Sequence, residues 1–323
     1  VHLFDQNTYR SLTDFKENYK AYKNMCKLLS ENDVEVIHCN TPIGGIIGRI
    51  CGKKYKVKKV IYTAHGFHFY KGAPLFNRTV IKWAEQLMAH WTDAIITMNQ
   101  EDFESAKKFK LRNNGKAYFV HGVGVDAKAF RIDCDKEAKR AELGLKEDDT
   151  VLISMGDLIK RKNYAPVIEA VAKLKNPKVH YLICGRGPEL DNLTALAKNL
   201  GVESQIHFLG FRTDIKELLQ IANIFVFSTL QEGLPRSLME AMSVGIPCVV
   251  SNIRGNVDLV DDGVNGFLCG VTDSDAFANA IQKLTCDADL RERMREANFK
   301  KISEFDVSVV NDEIKAIYAD VLK

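Results

Sequence analysis

At 323 residues the chain is long enough for two domains with separate cores, and 46% hydrophobic with 27% charged residues is the balance of an ordinary globular protein. A formal net charge of +3 without a concentrated basic stripe argues against nucleic acid as a partner. The 8 cysteines include no CxxC pair, no apolar run approaches the roughly 20 residues of a membrane span, and the opening VHLFDQNTYRS is no signal peptide, so a cytoplasmic location fits best.

In chain order, residues 15–29 read as a helix with Tyr19, Tyr22, Met25, Cys26 and Leu29 on one face. Strands follow at 34–40, 59–65, 93–99 and 116–122, with helices after TPIGG and over 76–90 and 100–110. Short apolar strands alternating with helices predict a parallel sheet covered on both faces. The basic run Lys53, Lys54, Lys56, Lys58 and Lys59 reads as a solvated loop, and contact with anionic lipid at the inner face of the cell membrane stays open.

Ligands of such sheets lie beyond the carboxyl ends of the strands. The residues there are Gly44 and Gly45 after the first strand and His65, Phe67, His68 and Tyr70 after the second. The diglycine lets backbone approach an acceptor or makes a tight turn; the aromatics suit a sugar face or a lipid carrier, or belong to the core. His65 and His68 lack a third ligand at a metal-binding spacing. From Asp126 to Asp149 the chain turns polar and loses its strands, marking a linker between a domain over 1–125 and a second over 150–303.

The second domain repeats the alternation, with strands at 151–156, 179–185, 205–210 and 223–229 and a helix carrying Val167, Ile168, Ala170, Val171 and Leu174. The stretch Ser228–Ser251, STLQEGLPRSLMEAMSVGIPCVVS, reads as a loop with a carboxylate, a helix and a buried strand. Glu232 precedes the helix and Glu240 lies inside it, seven residues intervening; Gly233 permits close backbone approach and the helix start offers free N–H groups to phosphate. A turn-rich connection over 258–270, helices at 273–285 and 287–301, and a last helix over 305–321 complete the chain.

The wording EGLPRSLMEAM, with Glu-x7-Glu inside it, resembles the retaining family 4 glycosyltransferases, in particular the branch that builds bacterial capsule, exopolysaccharide or lipopolysaccharide. The resemblance implies an α/β GT-B fold: two Rossmann-like domains with parallel sheets facing a cleft, and a C-terminal segment, 304–323, crossing back to the first domain. Against that family the first domain lacks its opening strands, as a truncated chain would. The resemblance also implies transfer of a hexosyl or N-acetylhexosaminyl group from a nucleotide-diphosphate sugar, UDP above all, to a glycan or polyprenyl-linked acceptor, with no cofactor; no Asp-x-Asp motif precedes a strand end, so no metal is expected.

By the same resemblance His65, Glu232 and Lys162 are the catalytic candidates. Gly156, Arg186, Phe211, Arg212, Gly233, Leu234, Pro235, Arg236, Ser237 and Glu240 join Lys162 and Glu232 around the donor. Where the family has an Arg after the glycine this chain has Asp157, and Lys160, Arg161 or Arg236 are the candidates to supply the missing charge. Gly44, Gly45, Phe67, His68 and Tyr70 fall on the acceptor side. Two other readings are a GT-B-shaped sugar-nucleotide epimerase and a non-catalytic nucleotide-sugar or glycan-binding remnant.

Overall fold

The computed structural model describes residues 14–323. Its contacts divide them into two compact units, one running to Gly122 and resuming over Val310–Lys323, the other Val123–Val309.

In the first unit α1 (Phe15–Glu31) starts where the Asp14 carboxylate accepts from the N–H of Glu17. Then come β1 (Val36–Asn40), α2 (Pro42–Lys54), β2 (Lys59–Ala64), a π-helical turn Asn77–Ile81 that runs into α3 (Lys82–Ala89), β3 (Ala94–Thr97), α4 (Gln100–Ala106) and β4 (Lys116–Phe119). The four strands lie in sequence order and all pair in parallel. A glycine face sets α2 tight on this sheet: a Cβ at Gly45 would stand 2.5 Å from the Tyr62 ring, and one at Gly52 2.6 Å from Val60. Beneath it Arg49 and Glu85 form an ion pair at 2.7 Å, buried in the interior.

The second unit holds α5 (Lys136–Glu142), β5 (Thr150–Met155), α6 (Ala165–Leu174), β6 (Val179–Cys184), α7 (Leu190–Asn199), β7 (Ile206–Gly210), α8 (Ile215–Ile221), β8 (Ile224–Phe227), α9 (Arg236–Ser243), β9 (Cys248–Ser251), β10 (Gly266–Cys269), α10 (Ser274–Cys286) and α11 (Ala288–Ile302). The final helix, α12 (Val307–Val321), begins in this unit. Its later residues bind within the first: the Tyr318 hydroxyl pairs with His38, Glu313 accepts from the His121 N–H at 3.0 Å, and Asp320 accepts from the Tyr118 hydroxyl at 2.7 Å.

The six strands order β10-β9-β8-β5-β6-β7, every pair parallel. The period-two alternation of a strand explains the layers. Val151, Ile153, Phe225, Phe227, Cys248 and Val250 face one apolar core with α8 and α9. Leu152, Ile224, Val226 and Val249 face the other with α6 and α10. Between β5 and β8 the winding reverses, which leaves a crevice at their carboxyl ends.

Three elements differ from the sequence reading. The charged run after Asp126 contains a helix, α5, because Asp135 caps it by accepting from the N–H of Ala138 at 2.9 Å. The turn-rich stretch 258–270 contains β10, a four-residue edge strand too short to carry a pattern. The helix expected over 76–90 opens on the π-helical turn.

Candidate active site

The site grows from the strand ends of the second unit. After β5 the chain turns at Gly156, whose φ of 152° is open to glycine, and descends through a 3-10 turn Lys160–Lys162 before α6. After β8 it runs through Ser228 and Thr229 to Glu232 and then into α9. These are the loops of the two strands that flank the switch point, and they meet: Lys162 Nζ stands 2.9 Å from Glu232 Oε1.

Around that contact the polar groups converge on one oxygen. Arg161 Nη1 donates to Glu232 Oε1 at 2.8 Å and to the carbonyl of Gln231, and the Thr229 hydroxyl donates to the same Oε1 at 2.9 Å. Lys162 also lies 4.6 Å above the Phe227 ring. Asn163 locks the two loops, its amide donating to the carbonyl of Ser228 at 3.0 Å. Tyr164 donates its hydroxyl to the carbonyl of Gly156 at 2.7 Å. Arg254, itself buried, donates to the carbonyl of Glu232 at 3.2 Å.

Neighbouring loops close in where glycine lets backbones touch. A Cβ at Gly187 would fall 2.3 Å from the carbonyl oxygen of Leu158, and one at Gly255 2.5 Å from that of Gly233. The N–H of Leu158 donates to the carbonyl of Arg186, and the N–H of Glu189 returns to that of Leu158. The loops after β5 and β6, like those around Gly233 and Gly255, are therefore held at fixed spacing.

At the start of α9, Pro235 supplies no side-chain cap, so the N–H groups of the first turn, from Arg236 on, are left without one. This is a seat for an anion, at the positive end of the helix. Glu240, one turn on, accepts from Arg236 Nε at 3.0 Å. Burial pushes the Glu240 carboxyl above its usual range, with the Arg236 guanidinium pulling the other way. Leu234 and Ser237 lie half-buried on either side of Pro235. Arg186 and Phe211 stand exposed next to each other, the guanidinium 5.9 Å from the ring.

Arg212 is differently employed. Its guanidinium pairs with Asp214 and, at 2.9 Å, with Glu142, which ties α5 to the turn before α8. The two carboxylates hold that guanidinium, so its position next to Phe211 does not give the donor a cation. Of the three cations offered for the gap at Asp157, it is Arg161 that reaches the Lys162–Glu232 contact, while Arg236 is engaged with Glu240. Sequence reading missed Thr229, Asn163, Tyr164 and Arg254. Only the position of Thr229 just after β8, and of Asn163 and Tyr164 just before α6, could have pointed to the first three.

In the first unit His65 stands exposed at the end of β2, its Nε2 3.2 Å from Asn40 Oδ1. Partial burial against the strand ends lowers its pKa, so the ring is neutral at pH 7. His38, beside it, bonds Thr63 Oγ1 at 2.7 Å as well as Tyr318.

The acceptor-side expectations fare unevenly. Phe67 is 2% exposed, stacked on Phe69 with ring centroids 4.7 Å apart and tilted against Phe109, so its face is spent on the core. Gly45 is used against Tyr62, as the helix packing above requires. Gly44, His68 and Tyr70 are half-buried, and the His68 carbonyl accepts from Asn77 at 2.9 Å. Among the described residues no group of three or more His, Cys, Asp or Glu is placed to hold a metal ion.

Comparison with known proteins extends these observations. The family model "Glycosyl transferases group 1" matches residues 135–301, and "Glycosyl transferase 4-like" matches residues 1–100. The putative glycosyltransferase EpsD of Bacillus subtilis is 33% identical over 309 residues, 94% of this chain and 81% of that protein. An Escherichia coli UDP-Gal:alpha-D-GlcNAc-diphosphoundecaprenol alpha-1,3-galactosyltransferase is 31% identical over 312 residues, 95% of this chain and 80% of its own length. The crystal structure of Anabaena HepE in complex with UDP aligns over 93% of this chain and 82% of its own with a TM-score of 0.80 at 22% identity, a likeness of fold.

Proposed function

The chain belongs to the group 1 glycosyl transferases and has the GT-B fold, and from that premise we propose that it moves a hexosyl or N-acetylhexosaminyl group from a UDP-sugar to a lipid-linked or glycan acceptor with retention at the anomeric carbon. At the coarser level it is a glycosyltransferase of polysaccharide or glycoconjugate synthesis. Capsule or exopolysaccharide is the product class in our reading. The UDP donor and the polyprenyl-linked acceptor are supported by what the HepE structure holds and by what the galactosyltransferase is named for.

The observation that carries the reading is the meeting of Lys162 with Glu232 at the switch point, beside a helix start without a side-chain cap. Transfer breaks the bond between the anomeric carbon and a diphosphate oxygen; the electron pair leaves with the diphosphate and the sugar ring gains oxocarbenium character. An acceptor hydroxyl then bonds to the anomeric carbon and its proton passes to the departing diphosphate. Catalysis is the stabilisation of that separated charge. Lys162, Arg161 and the first N–H groups of α9 bring positive charge to where the diphosphate develops its own, so protein groups rather than a divalent metal answer it.

Glu232 has a second duty. Its Oε1 is taken by three donors, while Oε2 has no protein partner among the described residues and is positioned to accept hydroxyls of the donor sugar. Glu240, lying a turn deeper with its carboxylate largely buried, takes the ribose hydroxyls. His65, neutral at pH 7, is the group we assign to the reacting sugar from the first unit.

A thermal-shift screen of UDP, ADP and GDP with their sugars tests this. UDP compounds raise the melting temperature of the wild type, and Lys162→Ala loses the diphosphate-dependent part of the shift. An undiminished shift in Lys162→Ala would overturn the assignment, and an inverted anomer in the product, read by NMR, would overturn retention.

A further inference from the structure

One face of the segment 74–90 in the first unit is apolar and, among the described residues, uncovered. Phe76, Val80, Trp83 and Leu87 are exposed at 62%, 48%, 63% and 42%, and Leu75 at 74%. Spaced four, three and four residues apart, the first four share one side of the helical run, while Glu85, Met88 and Ala89 on the other side are buried. A stripe of this size on an ordinary globular surface marks a contact.

Charge identifies the kind of contact. Every exposed charged side chain between residues 71 and 90 is basic: Lys71, Arg78 and Lys82. The one acid of the stretch, Glu85, is buried and neutralised by Arg49. Lys71, Arg78 and Lys82 line, with Phe69, Tyr70 and Leu75, a pocket of ≈ 330 Å³ next to the stripe. At the far end Lys53 Nζ sits 4.1 Å over the Trp91 ring.

We propose that this face docks on an anionic lipid bilayer, with Phe76, Val80, Trp83 and Leu87 at the boundary of headgroups and acyl chains and Lys71, Arg78 and Lys82 on the lipid phosphates. Apolar residues with an exposed Trp on one side, flanked by three cations against one acid, Glu101, which accepts from the Lys71 N–H at 2.6 Å, make an interfacial helix. A second copy meeting the same face would bring like charges together, which disfavours that occupant. The inference deepens the reading above, in which the acceptor rides on a lipid, and rests on it for its purpose alone.

The full chain carrying Trp91→Phe, so that Trp83 is its single tryptophan, is titrated with vesicles of phosphatidylglycerol and phosphatidylcholine and with vesicles of phosphatidylcholine alone. On anionic vesicles Trp83 emission moves to the blue and the protein co-sediments; on neutral ones binding is weaker. Arg78→Ala with Lys82→Ala weakens anionic binding about 25-fold, about fivefold for each cation. Leu87→Glu, on the uncovered side, abolishes it without changing the circular dichroism.

Binding that ignores lipid charge, binding unchanged in either variant, or no binding at all overturns the proposal. A dimer in sedimentation equilibrium that Leu87→Glu turns into a monomer assigns the face to a second copy instead. The UDP thermal shift is measured on the same samples. Lipid binding lost with that shift intact sinks this inference alone, and the shift lost with lipid binding intact sinks only the donor reading.

Discussion

Each unit contains a close pair of a basic and an acidic side chain, and the two pairs are built for opposite ends. Arg49 and Glu85 are sealed: two guanidinium nitrogens donate to the two carboxylate oxygens at 2.7 and 3.1 Å, the third donates to the carbonyl of Gly45 at 2.8 Å, and the Tyr62 ring covers the plane at 4.1 Å. All three guanidinium nitrogens are engaged within the protein and both residues are buried, so the pair is closed to a ligand. At Lys162 and Glu232 two cations and a hydroxyl crowd one carboxylate oxygen, and one of those cations, Arg161, is 42% exposed. A surplus of positive charge over acid, at the rim of a crevice, is a charge waiting for an anion.

The largest way to break this contrast is to remove one acid from each. Glu85→Ala leaves Arg49 charged in the interior and lowers unfolding free energy by about 3–5 kcal/mol, read from urea denaturation. If the loss stays below 1 kcal/mol, roughly what a surface pair contributes, the sealed pair is not what holds α2 to α3. Lys162→Ala inverts the pattern: kcat/KM falls about 100-fold while the urea midpoint hardly moves. Equal losses of stability in the two variants would erase the distinction between them.

Gly255→Ala sharpens it further. The added methyl enters 2.5 Å from the carbonyl oxygen of Gly233 at a φ of 84°, a conformation that an L side chain resists. It costs about 1–3 kcal/mol and displaces the Glu232 loop, so KM for the donor rises more than stability falls. A crystal structure of the variant with that loop unmoved would count against the coupling.

The smallest effect is on Glu240. Its pKa is raised in the fold, so below the unfolded value the carboxyl is protonated in both states and burial costs nothing. As pH rises through the raised folded value the unfolded chain ionises more readily, and stability is lost. Glu240→Gln is therefore as stable as wild type at low pH and more stable at neutral pH, yet binds UDP more weakly. Stability curves that stay parallel across pH would show that burial does not strain this carboxylate.

Much of the fold was legible because it rests on local pattern. The apolar alternation of VLISMG and NIFVFST marks β5 and β8, and EGLPRSLMEAM carries a helix between a carboxylate loop and a strand. The elements that escaped are those whose cause is distant. β10 is four residues long and exists because β9 lies alongside it, and Phe67 reads equally as a sugar platform or a core until Phe69 and Phe109 are seen against it. Arg212 sits where the resemblance implies a donor contact, but Asp214 and Glu142 claim it.

Sequence alone determined the alternation of strands and helices, the two-unit division in outline and the family, since each is written in short-range periodicity or in a contiguous motif. Tertiary structure alone decided which charged groups meet. Lys162 and Glu232 are 70 residues apart in the chain and share a carboxylate oxygen because the strand order reverses between β5 and β8, a consequence of how the sheet is wound. Pairing across such a distance depends on which strands become neighbours, and no local pattern of residues encodes that.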